Sequence, residues 1–303
     1  MTTIEGFDIK QGDFKEILNK DSIVEYIATG FAFVEGPLWK DKGLLFSDIP
    51  NNRIAYHSVS EEGPNISTFR YPSGNSNGLT LDLDGNLIAC EHSTRRVSIT
   101  TLSGEILPIA TRYREKRLNS PNDVVVKSDG YVYFTDPPYG LPQMKQGKEL
   151  PFSGVYRVKI NGEELELLID NLEAPNGIAF SPDEKRLYVT DSMNKFINVY
   201  SLDSEGRPKG VKQFADLDTG EEGTADGIKI DTDGRVYSTG PGGIWVFAPS
   251  EKLEKGKLLG RILLPEIPAN CAWGEDGSTL FITARTGLYK IRLATTGTAV
   301  GPR

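Results

Sequence analysis

Apolar and polar residues alternate along most of the chain with a period of two, the spacing of a half-buried strand. No segment carries a long apolar pattern of period 3.6. The alternation recurs in units: a polar residue, usually glycine next, an alternating strand, a tight turn and a second strand. The units read EGPLWKDKGLLFSD from Glu35, NGLTLDLDGNLIACE from Asn77, NDVVVKSDGYVYFTD from Asn122, NGIAFSPDEKRLYVTD from Asn176, DGIKIDTDGRVYSTG from Asp226 and NCAWGEDGSTLFITA from Asn270. Their starts lie 42, 45, 54, 50 and 44 residues apart. Such a period, with two or more strands per unit, is the signature of propeller blades. Asp84-Gly85, Asp129-Gly130, Asp233-Gly234 and Asp276-Gly277 supply the hairpin turns, because Asp and Gly tolerate positive φ. A third strand follows in most units (RVSITTL, GVYRVKI, FINVYSL, GIWVFAP, GLYKIRL). Fainter fourth strands follow, as in EILPIA and LELLID.

The expected fold is all-β: a six-bladed β-propeller with four antiparallel strands per blade. It fills residues 1–303 as one domain, with a core of about residues 22–293. An open ring would leave raw sheet edges. Ser22–Ala28 is therefore expected to pair beside Gly287–Leu293, closing the ring with the N-terminal strand in the last blade. The N-terminal lead and the tail after Leu293 are expected outside the blades, the tail disordered. One short helix is expected near Phe14–Asn19, and a rim loop in PQMKQGKEL after Tyr139.

The net charge of −8 argues against nucleic-acid or anionic-membrane partners, since phosphate would be repelled. The N-terminus lacks the basic start and apolar run of a signal peptide, and no stretch approaches the roughly 18 apolar residues of a membrane span. These features predict a cytoplasmic protein, a monomer or small homo-oligomer. Cys90 and Cys271 read as buried free thiols, with a single disulfide left open. With only these cysteines, His57 and His92, a structural zinc site is disfavoured.

The innermost strand of a propeller blade begins at the mouth of the central channel. Equivalent positions in six blades therefore form a ring: Glu35, Asn77, Asn122, Asn176, Asp226 and Asn270. All six carry a side-chain oxygen. Convergent carboxylate and amide oxygens suit a hard cation, above all Ca²⁺ with its about 6–8 oxygen ligands. A single Asn-Gly reads more simply as a turn, but six such positions in register ahead of strands do not. Hairpin arithmetic sets Gly78 opposite Glu91, and the same step brings Asp48, Asp136 and Asp191 beside the mouth. Those four either cap strand ends or orient substrate hydroxyls. His92 is a candidate proton carrier, because imidazole titrates near neutrality, or else a structural residue. Gly74–Gly78 fits G-x-S-x-G, but that elbow needs a helix after it and LTLDLDG is a strand. Ser76 is therefore not read as a nucleophile.

Eight stretches point to one family: FVEGPLW, LLFSDIPNNRI, SNGLTLDLDGNL, CEHSTRRV, LNSPNDVVVKSDG, YFTDPPYG, APNGIAFSPDEKRLYVTDS and ADGIKIDTDG. In order and number, over about residues 30–292, the chain resembles the senescence-marker-protein (regucalcin)/gluconolactonase family, and within it the microbial gluconolactonases. The resemblance implies one divalent metal ion at the channel mouth, Ca²⁺ first, with Mg²⁺, Mn²⁺ and Zn²⁺ as alternatives. Its ligands would be Glu35 in EGP, Asn122 in SPND, Asn176 in PNG and Asp226 in ADG. The implied activity is hydrolysis of a small sugar lactone, with Asp226 as ligand and general base, or as nucleophile. Asn77, His92, Asp123, Asp136, Tyr139 and Asn270 are the candidate substrate contacts. One departure matters: regucalcin-like members have an arginine two positions before the residue matching Asn122, and this chain has Ser120. Paraoxonase and diisopropyl fluorophosphatase have similar sites. The alternatives are therefore another ester or phosphoester at the same site, or a binding propeller without catalysis.

Overall fold

In the computed structural model, which describes residues 3–4, 6–60, 63–250 and 252–302, six β-sheets stand around a central channel. In the first blade the strands are Val34–Lys40, Gly43–Asp48, Arg53–Ser60 and Gly63–Arg70. The second to fifth blades repeat the antiparallel order, with innermost strands Ser76–Leu81, Val124–Val126, Pro175–Phe180 and Ile228–Ile230. The sixth runs Pro268–Gly274, Thr279–Ala284, Gly287–Arg292, and takes its outer strand, Glu25–Thr29, from the other end of the chain. The pairs Gly287–Thr29 and Lys290–Glu25 bound that ladder, so the ring closes as the sequence predicts.

Both termini do more than expected. Phe7–Ile9 pairs with Leu258–Leu263, and Thr3–Ile4 pairs with Phe7–Ile9, giving the fifth blade six strands. The lead is thus part of a blade. The short helix is a 3₁₀ turn at Gly12–Ile17 that buries Phe14 and Ile17, slightly earlier than Phe14–Asn19. The tail is ordered rather than loose. The Ala294 amide donates to the Ile17 carbonyl, Thr232 to that of Thr296, Gly297 to that of Gly277 and Thr298 to that of Ile230. The Thr295 hydroxyl donates to Asp231 at 2.9 Å. These bonds give the Thr- and Gly-rich segment the partners its own sequence lacks.

Apolar faces of adjacent blades form the core. Ile88, Cys90 and Val97 of the second blade pack with Val132, Phe134 and Tyr156 of the third. Trp39 of the first stacks on Phe281 of the sixth at 5.2 Å between ring centres, adding about 0.5–1.5 kcal/mol to their burial. Cys90 and Cys271 are free and buried. Beyond the start of the innermost strands the channel widens into a cavity of about 620 Å³, lined by Leu38, Trp39, Leu81, Phe180 and Trp273 and crossed by Thr296–Gly301. Among the described residues, no helix is long and apolar enough to cross a membrane.

Candidate functional site

The innermost strands begin at the site, and their geometry explains the repeated polar-Gly step. Register shifts fall between Glu35 and Leu38, Ser76 and Leu79, Pro175 and Ile178, and Pro268 and Asn270. A bulge re-aims the side chain it carries: Asn77 and Asn176 lie within theirs, whereas Glu35 and Asn270 flank theirs and stay paired with Ser47 and Thr283. The following glycine serves close approach between blades. An added Cβ would lie 2.1 Å from the Asn77 carbonyl at Gly36, 2.6 Å from that of Asn122 at Gly78, and 2.2 Å from that of Asp226 at Gly177. Of these only Gly36 has positive φ, so turn chemistry is not the general reason.

The same contacts join the six positions into one ring. Gly78 donates its amide to the Asn122 carbonyl at 2.7 Å, and Gly177 to that of Asp226 at 3.1 Å. Ser47, Thr135 and Thr190 each donate a hydroxyl at 2.7 Å to the next blade's ring carbonyl, on Asn77, Asn176 and Asp226 respectively. Asn270 closes the circuit, its Nδ2 donating to Glu35 Oε2 at 3.0 Å.

Glu35, Asn77, Asn122, Asn176 and Asn270 are all nearly buried. Asn77 Oδ1, Asn176 Oδ1 and Asp226 Oδ1 are buried with no hydrogen-bond partner, as is Asp123 Oδ2. Burial, and then the charge of Asp123, pushes the Glu35 carboxyl up to about 7. Burial, followed by the charges of Glu35 and Asp123, holds Asp226 well above the usual carboxylate range. Acceptors without donors, beside carboxylates that resist ionising together, are what a bound hard cation would relieve. The residues therefore fit the divalent ion that the resemblance implies. The set is mixed carboxylate and amide; among the described residues, no cluster of three His, Cys, Asp or Glu is placed to hold a metal.

The other ring residues differ. Asn270 Oδ1 already accepts from the Cys271 amide at 2.9 Å and from Lys229 Nζ at 3.2 Å, so Asn270 supports Glu35. Lys229 also stands 3.9 Å from Asp123. Neither this lysine nor its role was among the sequence candidates. The available signal was register: three residues after the ring position, the other blades carry Leu38, Thr80, Val125, Ala179 and Trp273.

The carboxylates at the ends of the second strands are displaced from the hairpin arithmetic, Asp48, Glu91 and Asp191 by two residues. The turn and the inner-strand bulge together set Glu91 opposite Ser76 rather than Gly78. Three fasten the loop leading into their own blade. Asp48 accepts the Ala32 amide and pairs with Arg53, Asp191 accepts the Glu173 and Ala174 amides, and Asp136 accepts the Asn119 amide at 2.7 Å. Asp136 is fully buried, which pushes its carboxyl up to about 7. Burial would raise Glu91, but bonds from Arg96, Ser98 and Thr94 and the charge of Arg70 bring it below the usual range. His92 Nε2 lies 3.4 Å from Asn77 Nδ2, and burial lowers its pKa to about 4. Its ring is neutral at pH 7, so a near-neutral titration does not describe it. Ser76 is fully buried against Ser47 at 2.9 Å.

Comparison with known proteins identifies the family. A family model described as "SMP-30/Gluconolactonase/LRE-like region" matches residues 33–286. The chain belongs to the SMP-30/gluconolactonase family. The gluconolactonase of Zymomonas mobilis is 37% identical over 93% of this chain and 84% of that protein. A solved gluconolactonase from Xanthomonas campestris is 30% identical, with a TM-score of 0.85 over 96% of this chain and 95% of that one. A calcium-binding regucalcin from Agrobacterium tumefaciens shares the fold alone, at 16% identity and a TM-score of 0.71 over 90% of this chain and 94% of that one.

Within this SMP-30/gluconolactonase frame, Ser120 has its own structural use. Its fully buried hydroxyl donates to the Pro137 carbonyl at 2.6 Å and accepts the Gly140 amide at 2.8 Å. It thereby pins the turn that carries Tyr139, whose hydroxyl lies 2.5 Å from Ser192 Oγ. Ser192 also escaped the sequence reading, although it occupies the register of His92, directly after the last residue of its blade's second strand.

Proposed function

We propose that the chain is a divalent-metal-dependent lactonase that hydrolyses a small sugar lactone at the channel mouth. The observation that carries this reading is the pair of unpartnered buried oxygens on Asn176 and Asp226, on one ring with Glu35 and Asn122. The gluconolactonase relatives, matched over most of their length, support lactone hydrolysis as the activity.

Glu35, Asn122, Asn176 and Asp226 would hold the ion. When bound, a divalent cation supplies Lewis acidity toward a carbonyl oxygen and charge for a developing oxyanion. Asn270 keeps Glu35 turned toward the axis, and Lys229 holds Asn270 in that role. Asp226 Oδ1, free of protein donors, takes a proton from the attacking water. The water oxygen bonds to the lactone carbonyl carbon, the acyl–oxygen ring bond breaks, and the ring oxygen takes up the proton held by Asp226, giving the open hydroxy acid and restoring the carboxylate.

The test is kcat for wild type and Asp226→Asn on a lactone panel, across titrations of Ca²⁺, Mg²⁺, Mn²⁺ and Zn²⁺ after chelation. A general base predicts a fall of about 10²–10⁴-fold at saturating metal. Full rescue of Asp226→Asn by excess metal would leave it a ligand only. Wild-type turnover that survives chelation, or is absent with every cation, would refute the metal-dependent reading itself.

A further inference from the structure

Three groups surround Ser192 Oγ. The Ala174 carbonyl lies at 3.2 Å, Tyr139 Oη at 2.5 Å and Asn176 Nδ2 at 3.3 Å. A serine hydroxyl has one proton to give and two lone pairs to receive. The carbonyl can only accept, so the serine proton goes there. The short contact with Tyr139 must then run from phenol to serine. Burial above all holds that phenol up at about 12, and its proton is in place at neutral pH. The remaining lone pair accepts only a donor, so the Asn176 amide must turn Nδ2 toward Ser192, and the same side chain also donates to the Asp226 carboxylate. Its Oδ1 is then left without a protein partner.

We propose that Tyr139 is a positioning residue: through Ser192 it fixes the Asn176 amide so that Oδ1, and not Nδ2, faces the channel axis as a cation ligand. This rests on the metal reading above. A carboxamide in a cation site has one useful orientation, and a flipped amide would aim two N–H groups at a positive charge. Without the phenol, the serine proton is free to turn toward a flipped Asn176 Oδ1. The turn carrying Tyr139 comes from the third blade, whereas Ser192 and Asn176 belong to the fourth. The device therefore ties the ligand's orientation to how two blades meet, with Ser120 holding the turn in place.

The experiment is calorimetric titration of chelator-treated protein with Ca²⁺, and with Mg²⁺, Mn²⁺ and Zn²⁺ where Ca²⁺ gives no heat. Tyr139→Phe should weaken binding by about 10-fold, the low end of what an orienting partner contributes. Ser192→Ala should weaken it at least as much. The double variant should bind no worse than Ser192→Ala, because Tyr139 acts through Ser192. In an Asn176→Asp background, Tyr139→Phe should change the dissociation constant by less than about 2-fold, since a carboxylate presents oxygen either way. A loss that persists in that background marks a merely structural tyrosine and overturns the proposal. So do additive losses in the double variant, or a Tyr139→Phe protein that binds like wild type. A wild type that binds none of the four cations overturns the metal reading with it.

Discussion

Replacing Gly177 by alanine sets the packing of the ring against turn chemistry. The new Cβ would lie 2.2 Å from the Asp226 carbonyl oxygen and 2.9 Å from Gly227 Cα and Ile228 N, all backbone atoms of the next blade. To reach an ordinary 3.4 Å contact, the two innermost strands must part by over an ångström. Overpacking of that kind costs about 1–3 kcal/mol. The Gly177 amide bond to that carbonyl, now 3.1 Å, would be lost for about another 1 kcal/mol. Against this, an alanine at ordinary φ stiffens the unfolded chain by about 0.4–1 kcal/mol. The net expectation is a loss of about 2–3 kcal/mol, read as a fall in Tm of roughly 3–5 °C for a chain of 303 residues. Gly12→Ala is the control: nothing lies within 4 Å of the added Cβ, and a change within about 0.5 kcal/mol is expected. The assay is thermal and urea denaturation of both variants, with Ca²⁺ titration alongside, because the strand that moves carries Asp226. A Gly177→Ala protein as stable as Gly12→Ala and binding Ca²⁺ normally would refute the close-approach argument.

Ending the chain after Leu293 removes the bonds that Thr295, Thr296, Gly297 and Thr298 make to Asp231, Thr232, Gly277 and Ile230, and should cost about 2–4 kcal/mol in urea denaturation. Unchanged stability would return the tail to a loose end. Ser76→Ala should keep its lactone kcat within a few-fold of wild type; loss of turnover in a folded variant would revive the serine nucleophile. His92 has a folded pKa near 4 against an ordinary 6.5, so the unfolded chain binds its proton first as pH falls. Between those values wild type should lose stability relative to His92→Gln, by at most about 1.4 kcal/mol per pH unit, and parallel pH–stability curves would contradict the buried neutral ring.

The propeller was legible because its signal is local and repeated: the step at Glu35, Asn77, Asn122, Asn176, Asp226 and Asn270 recurs in register with the alternation behind it. What escaped was non-local. Phe7–Ile9 is too short to announce a strand, and its partner lies some 250 residues away. ATTGTAVGP has no periodicity, and its order comes from strand ends and turns in the fifth and sixth blades. The second ring was found but set two residues out: one comes from the turn, since Leu79 faces Ala89, and one from a bulge, which leaves no mark that alternation can read. The glycines were legible as a pattern, but the pattern carried no cause. Asn-Gly suggests positive φ, whereas the neighbouring blade's carbonyl is what excludes a side chain at Gly78 and Gly177.

The remaining question is how a six-fold scaffold yields a site that is not six-fold. Register alone makes the ring positions equivalent, so the distinction must come from what each oxygen already does. Asn270 is removed from the ligand set because Lys229 and the Cys271 amide occupy its oxygen, and its nitrogen goes to Glu35. Asn176 keeps its oxygen open because Ser192 and the Asp226 carboxylate take the nitrogen. Asn77 is in the same condition, with His92 taking the nitrogen from the register that Ser192 fills in the fourth blade. With Nε2 as the unprotonated nitrogen, a neutral imidazole and a serine perform one task in two blades: each is an acceptor for an amide nitrogen whose oxygen is left without a hydrogen bond. Under the proposed reading, Asn77 would anchor water or substrate through its open oxygen, although its place in the sequence pattern does not separate it from Asn270. The asymmetry enters through the residues behind the ring, which is where substitutions should change what the site binds without disturbing the fold.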